Sequence, residues 1–148
     1  MANYSTDTDL LEYEPEILTY GIQDFSDLHT KTTQDIQRQL RIKWWPRATF
    51  NRYDVSAGTY SEMDHNLLTD SQLKRAAVYH VLGYYIYPRL STFSPDGDVF
   101  REKMQYYREE FNTELTNVME DGVEYDFDSS GTVSDGEKQP THFNRLVR

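Results

Sequence analysis

The residues with the clearest spacing for chemistry lie between positions 126 and 137. Counted from the first aspartate, oxygen-bearing side chains occupy positions 1, 3, 5, 7 and 9, glycine occupies position 6, and glutamate occupies position 12. This is the spacing of a calcium loop, in which carboxylate, hydroxyl and carbonyl oxygens supply roughly six to eight ligands. The protein ligands predicted by this pattern are Asp126, Asp128, Ser130, Thr132 and Glu137.

The segments on either side of this loop favour a different interpretation. A paired-helix calcium site needs one helix running in and another running out. Gly122 shortens the first helix, and Pro140 stands where the second would run. Only one copy of the pattern is present. We therefore favour an acidic tail whose aspartate and glycine turns match the spacing, with calcium as an alternative and no cofactor required.

No other set of residues suggests catalysis. The four histidines His29, His65, His80 and His142 are scattered, and none has a partner three or four residues further on. The chain contains no cysteine, P-loop, nucleophile elbow or dinucleotide-binding glycine pattern. We expect that the protein is not an enzyme. Because His80 falls on an apolar helix face, we expect it to be an interior or interface residue.

The charges are arranged in blocks along a chain whose net charge is −10. Residues 1–30 contain seven acidic residues and no Lys or Arg, residues 31–52 contain six basic residues against one Asp, and residues 120–137 are purely acidic. Such blocks suit copies of one chain packing side by side, although solvated faces explain them equally well. The acidity opposes binding to nucleic-acid phosphates as the main role.

Two further features of composition limit the function. No apolar run approaches the roughly 18 residues that a membrane span needs, and the polar, acidic start of the chain predicts no signal peptide. We expect a soluble protein made in a cytoplasm. The cluster Lys43-Trp44-Trp45-Pro46-Arg47 mixes cations with aromatic rings, as single-strand binders do, but core packing or a subunit contact fits an acidic chain better.

Hydrophobic periodicity predicts an all-α fold, a small bundle of three to four helices with a long central loop and an extended C-terminal arm. We expect residues 1–8 to be flexible and a first helix to start near Glu14. The other predicted elements are a helix from residue 24 or 26 to Trp44, a loop over residues 46–68, a helix from a Thr69–Gln72 capping box to Pro88, and a helix from Ser94-Pro95 to Gly122.

Apolar side chains recur along one face of the predicted helices. In the helix that ends at Trp44 this apolar stripe is interrupted at Thr32, and its members are Phe25, Leu28, Ile36, Leu40 and Trp44. In the last helix the members of the stripe are Phe100, Met104, Tyr107, Phe111, Leu115 and Val118. In the helix between them, we expect the small side chains of Ala76 and Ala77 to let a neighbouring helix come close.

The chain divides into two predicted parts, a helical body over residues 1–118 and an acidic loop and extended arm over residues 119–148. Residues 119–142 are rich in Asp, Ser, Gly and Thr, and we expect them to bury no apolar face. The end of the sequence regains apolar and basic side chains. The predicted partner-binding residues are Phe143, Arg145, Leu146, Val147 and Arg148.

Two segments of this sequence resemble the head–tail connector proteins of tailed bacteriophages, which are also called adaptor, neck or head-completion proteins. One runs from Leu67 to Leu82 with Leu-Lys-Arg-Ala-Ala at residues 73–77, and the other runs from Asp98 to Leu115 with Lys-Met-Gln-Tyr-Tyr at residues 103–107. The likeness covers about the second half of the chain and rests on helix order, the Leu-Lys-Arg-Ala-Ala run and length. The ending at residues 143–148 looks like the C-terminal arms of such proteins.

This resemblance implies a structural subunit of the virion neck between capsid and tail, synthesised in the host cytoplasm. About a dozen copies would form a homo-oligomeric ring beneath the portal protein. The arms would bind the portal, the ring would offer a platform to the next neck or tail protein, and DNA would pass through the channel without specific binding. No membrane is implied. The alternative is a calcium-binding helical interaction module that uses residues Asp126 to Glu137.

Overall fold

The computed structural model describes residues 3–20, 25–45, 63–91, 99–126 and 129–133. Within these ranges the chain is built almost entirely from helices, and no strand is present. The predicted all-α bundle is therefore confirmed. Its α-helices are α1 (Asp7–Tyr13), α2 (Phe25–Lys43), α3 (Asp70–His80), α4 (Tyr87–Leu90) and α5 (Val99–Asp121). Two 3-10 turns cover Ile17–Tyr20 and His65–Leu67, and a π-helical segment, Val81–Ile86, joins α3 to α4.

The helical run over residues 70–90 forms the centre of the bundle and contacts both α2 and α5. Small side chains let α5 come close to it, as the sequence predicted for Ala76 and Ala77, which are both fully buried. α5 also approaches closely at Gly83 in the π segment. A Cβ atom there would lie 2.9 Å from the backbone nitrogen of Arg108, and Nε of Arg108 donates to the Gly83 carbonyl at 2.9 Å.

The sequence placed the end of this central helix at Pro88, and that prediction is wrong. The π segment ends at Ile86, a new α turn begins at Tyr87, and the chain stays helical to Leu90. Pro88 therefore lies in the first turn of α4. Proline is tolerated early in a helix because its fixed φ suits the first turn.

The apolar stripe predicted for α2 is confirmed from Leu28 onward, since Leu28, Ile36, Leu40 and Trp44 are all buried. Phe25, its first predicted member, is half-buried. Thr32, which we expected to interrupt this stripe, is buried as well. Its hydroxyl lies 3.1 Å from Nδ1 of His80 in α3. A polar pair between the two helices thus fills the gap in the stripe.

The apolar stripe predicted for α5 is also confirmed. Its buried members are Met104, Tyr107, Phe111, Leu115 and Val118. They pack against the central helical run and complete two neighbouring apolar clusters, one at each end of the bundle. The predicted start of this helix at Ser94-Pro95 lies outside the described residues.

The first helix begins earlier than the sequence predicted. Residues 3–8, which we expected to be flexible, include side chains that pack against the rest of the bundle. α1 precedes Pro15 instead of following it. The carboxylate of Asp9 accepts the backbone N–H of Thr6 at 2.9 Å, so a carboxylate in the first turn stabilises the helix start. Asp9 also pairs with Lys74 of α3 at 2.9 Å. Tyr4 and Ser5 are buried.

Most of the predicted central loop and arm fall outside the described residues. Of the loop over residues 46–68, only residues 63–68 are described, and they include the His65–Leu67 turn with Met63 and Leu68 buried beside it. Residues 134–148 likewise lie outside the described ranges. The extended arm stays a prediction, and so does the division of the chain into a body and an arm.

Candidate functional site

The junction between α5 and the C-terminal segment combines backbone pairing with side-chain hydrogen bonds. Residues 122–126 run antiparallel to residues 67–69 and pair with them at Leu68 and Tyr125. The backbone N–H of Thr69 donates to the carbonyl of Glu124 at 3.0 Å, and that of Asp126 donates to the carbonyl of Leu67 at 3.0 Å. The C-terminal segment is thereby fixed to the start of α3.

The side chain of Gln72 holds the same segment from a second direction. Its Nε2 donates to the Gly122 carbonyl at 2.8 Å, and its Oε1 accepts the Glu124 N–H at 2.8 Å. The predicted capping box between Thr69 and Gln72 is wrong in its pairing, because the Thr69 side chain makes no cap hydrogen bond. The predicted helix start at Thr69 is nevertheless confirmed.

Aromatic packing adds an apolar base to this junction. The ring of Tyr125 lies 5.7 Å from that of Trp44 and 5.1 Å from that of Trp45. The Tyr125 hydroxyl accepts the backbone N–H of Asp64 at 3.0 Å, and burial raises the pKa of this phenol. Trp44 is 1% exposed, so its predicted role in core packing is confirmed.

These contacts correct the expectation that residues 119–142 bury no apolar face. Val123 is fully buried, and Tyr125 is 4% exposed. Two apolar residues at positions two apart are the pattern of a half-buried extended segment, and this signal could have revealed the junction from the sequence. Their pairing with residues 67–69 could not be read from the sequence, because the partners are far apart along the chain.

Those residues of the predicted calcium loop that the structure describes, Asp126 and residues 129–133, include hydrogen bonds to the Asp126 carboxylate. The carboxylate of Asp126 accepts the N–H of Ser130 at 3.1 Å and that of Gly131 at 2.7 Å. Gly131, at position 6 of the pattern, has a φ of +91°, as the sharp turn of such a loop requires. The Ser130 hydroxyl donates to the carbonyl of Thr132 at 3.0 Å.

The remainder of the calcium pattern is not assembled within the described residues. Asp128 and Glu137 lie outside them. Among the residues that are described, no three His, Asp or Glu side chains cluster as a metal site would require. The helix before the loop ends at Asp121, and an extended segment leads into Asp126. The residues that could hold calcium are therefore the sequence-predicted ones, and that role stays a prediction.

His80 lies in the interior of the bundle, as predicted. Its ring stacks on Tyr84 with centroids 4.5 Å apart and meets the edge of Phe111 at 4.7 Å. Burial lowers the pKa of His80 from 6.5 to about 4, because the charged ring would lose its water, although the nearby Asp35 opposes this shift. A neutral, enclosed ring of this kind joins α2, α3 and α5.

His29 joins the N-terminal segment to α2. Its Nδ1 lies 2.7 Å from the Ser5 hydroxyl, and its Nε2 lies 2.9 Å from the carboxylate of Asp7. These residue types match a serine, histidine and aspartate relay, but Ser5 is only 1% exposed and could not meet a substrate. The trio is therefore a structural clamp. No local sequence signal predicts it, since its members come from distant positions.

Glu14 forms a further polar centre, directly after α1. Its carboxylate accepts hydrogen bonds from Tyr87 and Lys103, and from the Tyr107 hydroxyl at 3.1 Å. Burial alone would raise the pKa of Glu14, but these donors together hold it below its usual value. The site ties the N-terminal segment to α4 and α5 and offers no nucleophile. It stabilises the fold.

The arm residues predicted to bind a partner all lie outside the described ranges, and their role stays a prediction. They are Phe143, Arg145, Leu146, Val147 and Arg148. In the described part of the chain, every helix is too short or too polar to traverse a bilayer.

Comparison with known proteins adds no relative: no protein-family model, curated protein or solved structure matches this chain. We take the junction around Gln72 and Tyr125 as the candidate functional site, because its hydrogen bonds fix the C-terminal segment to the start of α3.

Proposed function

We propose that this protein is a structural subunit of a tailed-bacteriophage neck. In this proposal about a dozen copies form a ring that joins the portal protein to the next neck or tail protein. The ring continues the DNA channel, and DNA passes through it without specific binding. Support comes from the resemblance of residues 67–82 and 98–115 to connector proteins, and from the all-α bundle that contains both segments.

The single observation that carries the proposal is the junction before the arm. A docking arm transmits force only if its base is fixed to the body. Here the base is fixed by the backbone pairing of residues 67–69 with 122–126, by both ends of the Gln72 amide, and by the buried ring of Tyr125. Residues 134–148 begin eight positions after Asp126, the last residue of this base. They include the apolar and basic side chains that we predict to bind the partner.

The charge of the chain supports the same proposal. A net charge of −10 disfavours adhesion to the phosphate backbone, which suits a wall past which DNA must slide. Individual arms would bind weakly, because ordering a segment of this composition costs conformational entropy. Many copies in one ring would offset that weakness through multivalency.

The proposal is tested by locating the protein in particles. Mass spectrometry of purified virions should detect it at a copy number near that of the portal, and a variant that ends at residue 133 should be lost from particles. The matched control carries Arg89→Ala, an exposed change in the helical body remote from the arm. Finding the protein only in lysate, and never in particles, would refute the neck assignment.

A second candidate function is a calcium-binding helical interaction module. The observation that favours it is the turn at Asp126, where Gly131 at position 6 takes the left-handed conformation that the loop pattern needs. Calorimetry at millimolar calcium should then give heat that Glu137→Gln removes. Glu120→Gln, an exposed change at the end of α5, is the matched control and should leave the heat unchanged. No heat with the unaltered protein would exclude this candidate.

A further inference from the structure

Two helical faces on the surface of the bundle carry exposed side chains at the same intervals. Positions i, i+3, i+7 and i+10 lie on one side of an α-helix. On α2 these positions form a set that we name the basic stripe: Lys31, Gln34, Arg38 and Arg41. On α5 they form a set that we name the acidic stripe: Val99, Glu102, Tyr106 and Glu109. All eight residues are exposed.

The charges of the two stripes are opposite and available for a partner. No ion pair between described residues involves Arg38, Arg41, Glu102 or Glu109. Within the described ranges, Lys31 is the one charged member of the two stripes that forms an ion pair, with the carboxylate of Asp27 at 3.3 Å on its own helix. Charges of this kind attract each other more strongly when a partner of the opposite sign excludes the water around them.

Exposed apolar side chains lie in the same places. Among the described residues, the large apolar side chains that remain exposed are Leu18, Ile42, Val99 and Tyr106. Ile42 adjoins the basic stripe and is 60% exposed, whereas Val99 and Tyr106, 56% and 54% exposed, belong to the acidic stripe. Apolar and aromatic groups bordered by charges are typical of protein interfaces.

We propose that the basic stripe of one copy of this chain binds the acidic stripe of a second copy. Equal spacing lets the two rows interdigitate, with the arginines against the glutamates and one arginine able to stack on the Tyr106 ring. A second copy is the favoured partner because each copy carries both stripes, so two copies supply opposite charges at equal spacing together with the exposed apolar groups. A nucleic acid would instead have to approach a strongly acidic molecule.

The geometry of this contact determines what it can build. The two stripes belong to different helices, so each copy uses one face to bind the copy before it and the other to bind the copy after it. Such a head-to-tail contact closes into a ring or continues as a filament. The inference rests on the proposed function in one respect, since it supplies the subunit contact that a neck ring requires.

Cross-linking of the full-length protein tests the contact directly. The sequence contains no cysteine, so introduced thiols are the only ones present. Gln34→Cys labels the basic stripe, Gln105→Cys and Thr113→Cys label the exposed side of α5, and Thr8→Cys on α1 is the exposed control. When two single-cysteine variants are mixed and mildly oxidised, the α2–α5 pairs should give at least about tenfold more dimer than pairs with the control.

Two results of this experiment would overturn the inference. One is an equal yield from the α2–α5 pairs and the control pairs. The other is a predominance of Gln34→Cys homodimers, because these would indicate a symmetric contact between two α2 helices. Circular dichroism of each variant verifies that the helical fold is retained.

Charge reversal provides the second test. R38E/R41E and E102R/E109R should each reduce cross-linking between α2 and α5 about tenfold, because like charges then face each other. The variant that combines all four changes restores opposite signs and should restore cross-linking. If the fourfold variant stays as poor as its parents, the inference is wrong. If R38E/R41E abolishes binding to a short DNA duplex but leaves cross-linking unchanged, the basic stripe binds nucleic acid and the inference is again wrong.

The outcomes separate this inference from the proposed function. If the stripes bind each other in purified protein that never enters particles, the contact stands and the neck assignment fails. If the R38E/R41E variant enters particles at the normal copy number, and these particles join tails normally, the inference fails while the neck assignment stands.

Discussion

The side-chain oxygen of Gln72 accepts the backbone N–H of Glu124 at 2.8 Å, across 52 positions of sequence. The nitrogen of the same side-chain amide donates to Gly122, so Gln72 bonds the segment after α5 much as a neighbouring strand would. Through this one side chain, the first turn of α3 fixes the direction in which the chain leaves the bundle.

Replacing Gln72 should therefore cost more stability than its position on a helix suggests. Gln72→Ala leaves the half-buried N–H of Glu124 and the carbonyl of Gly122 without this partner, a loss of about 1–3 kcal/mol. Urea unfolding followed by circular dichroism measures it. Gln105→Ala, an exposed glutamine on α5, is the matched control and should change stability by at most about 0.5 kcal/mol. Equal effects would show that the amide contributes nothing to the junction.

Truncation should distinguish the junction from the arm. A chain that ends at residue 133 keeps Val123 and Tyr125 and should unfold at the temperature of the intact protein. A chain that ends at residue 121 loses both buried side chains and should lose about 3–6 kcal/mol, since each contributes about 1.5–3 kcal/mol. Calorimetric melting compares the two. If both truncations melt alike, residues 122–126 do not belong to the folded body.

His80 should make stability depend on pH between about 6.5 and 4. The unfolded chain takes up the histidine proton near pH 6.5, whereas the folded protein takes it up only near pH 4. Stability is therefore highest above this window and falls by up to about 3 kcal/mol as the pH drops through it. His80→Gln should flatten that slope in urea titrations, and His65→Gln, at a less buried histidine, should retain it. An unchanged slope in His80→Gln would contradict the assignment.

Glu14 should contribute more to the free energy of unfolding than the nearby Glu16 does. Glu14→Gln weakens an acceptor for Tyr87, Lys103 and Tyr107, and we expect a loss of about 1–3 kcal/mol in the free energy of unfolding. Glu16→Gln changes an exposed carboxylate in the same segment and should have almost no effect. Chemical denaturation of both variants provides the comparison, which fails if the two are indistinguishable.

The substitution Gly83→Ala should have two opposing effects on stability, one from helix propensity and one from packing. Alanine favours a helix by about 1 kcal/mol over glycine. Its Cβ, however, would lie 2.9 Å from the backbone nitrogen of Arg108, and a backbone atom cannot move aside cheaply. Overpacking of this kind costs about 1–3 kcal/mol, so the net change should be destabilising. A rise in melting temperature would show that α5 can shift away from the π segment.

The sequence predicted those features of the fold that depend on local periodicity. The buried apolar stripes of α2 and α5 follow from the spacing of apolar residues, and the helix start at Thr69 follows from its capping residue. All three are present. What it missed depends on contacts between distant positions. The hydroxyl of Thr32 is acceptable inside a helix interface only because His80 faces it, and nothing near Thr32 in the sequence reveals that partner.

The errors at the N-terminus and at Pro88 have local causes of a different kind. Asp9 stabilises the start of α1 although the usual capping-box residue at that position is Glu or Gln. Pro88 falls in the first turn of α4 because a π segment ends at Ile86, and the apolar spacing from which we predicted the helix does not reveal that segment. The candidate site was predicted in part: core packing was one of the two roles expected for Trp44, but the role of Tyr125 beside it was not predicted.

The π segment also determines the rotational phase of the helix that follows it. Each residue of an α-helix turns the chain by about 100°, so one residue more or fewer within Val81–Ile86 would rotate α4 by about that angle. Tyr87 would then point away from Tyr107, on which it now stacks at 5.8 Å, and would lose Glu14. The length of this segment is thus under stricter constraint than its composition, and insertions or deletions there should be far less tolerated than substitutions.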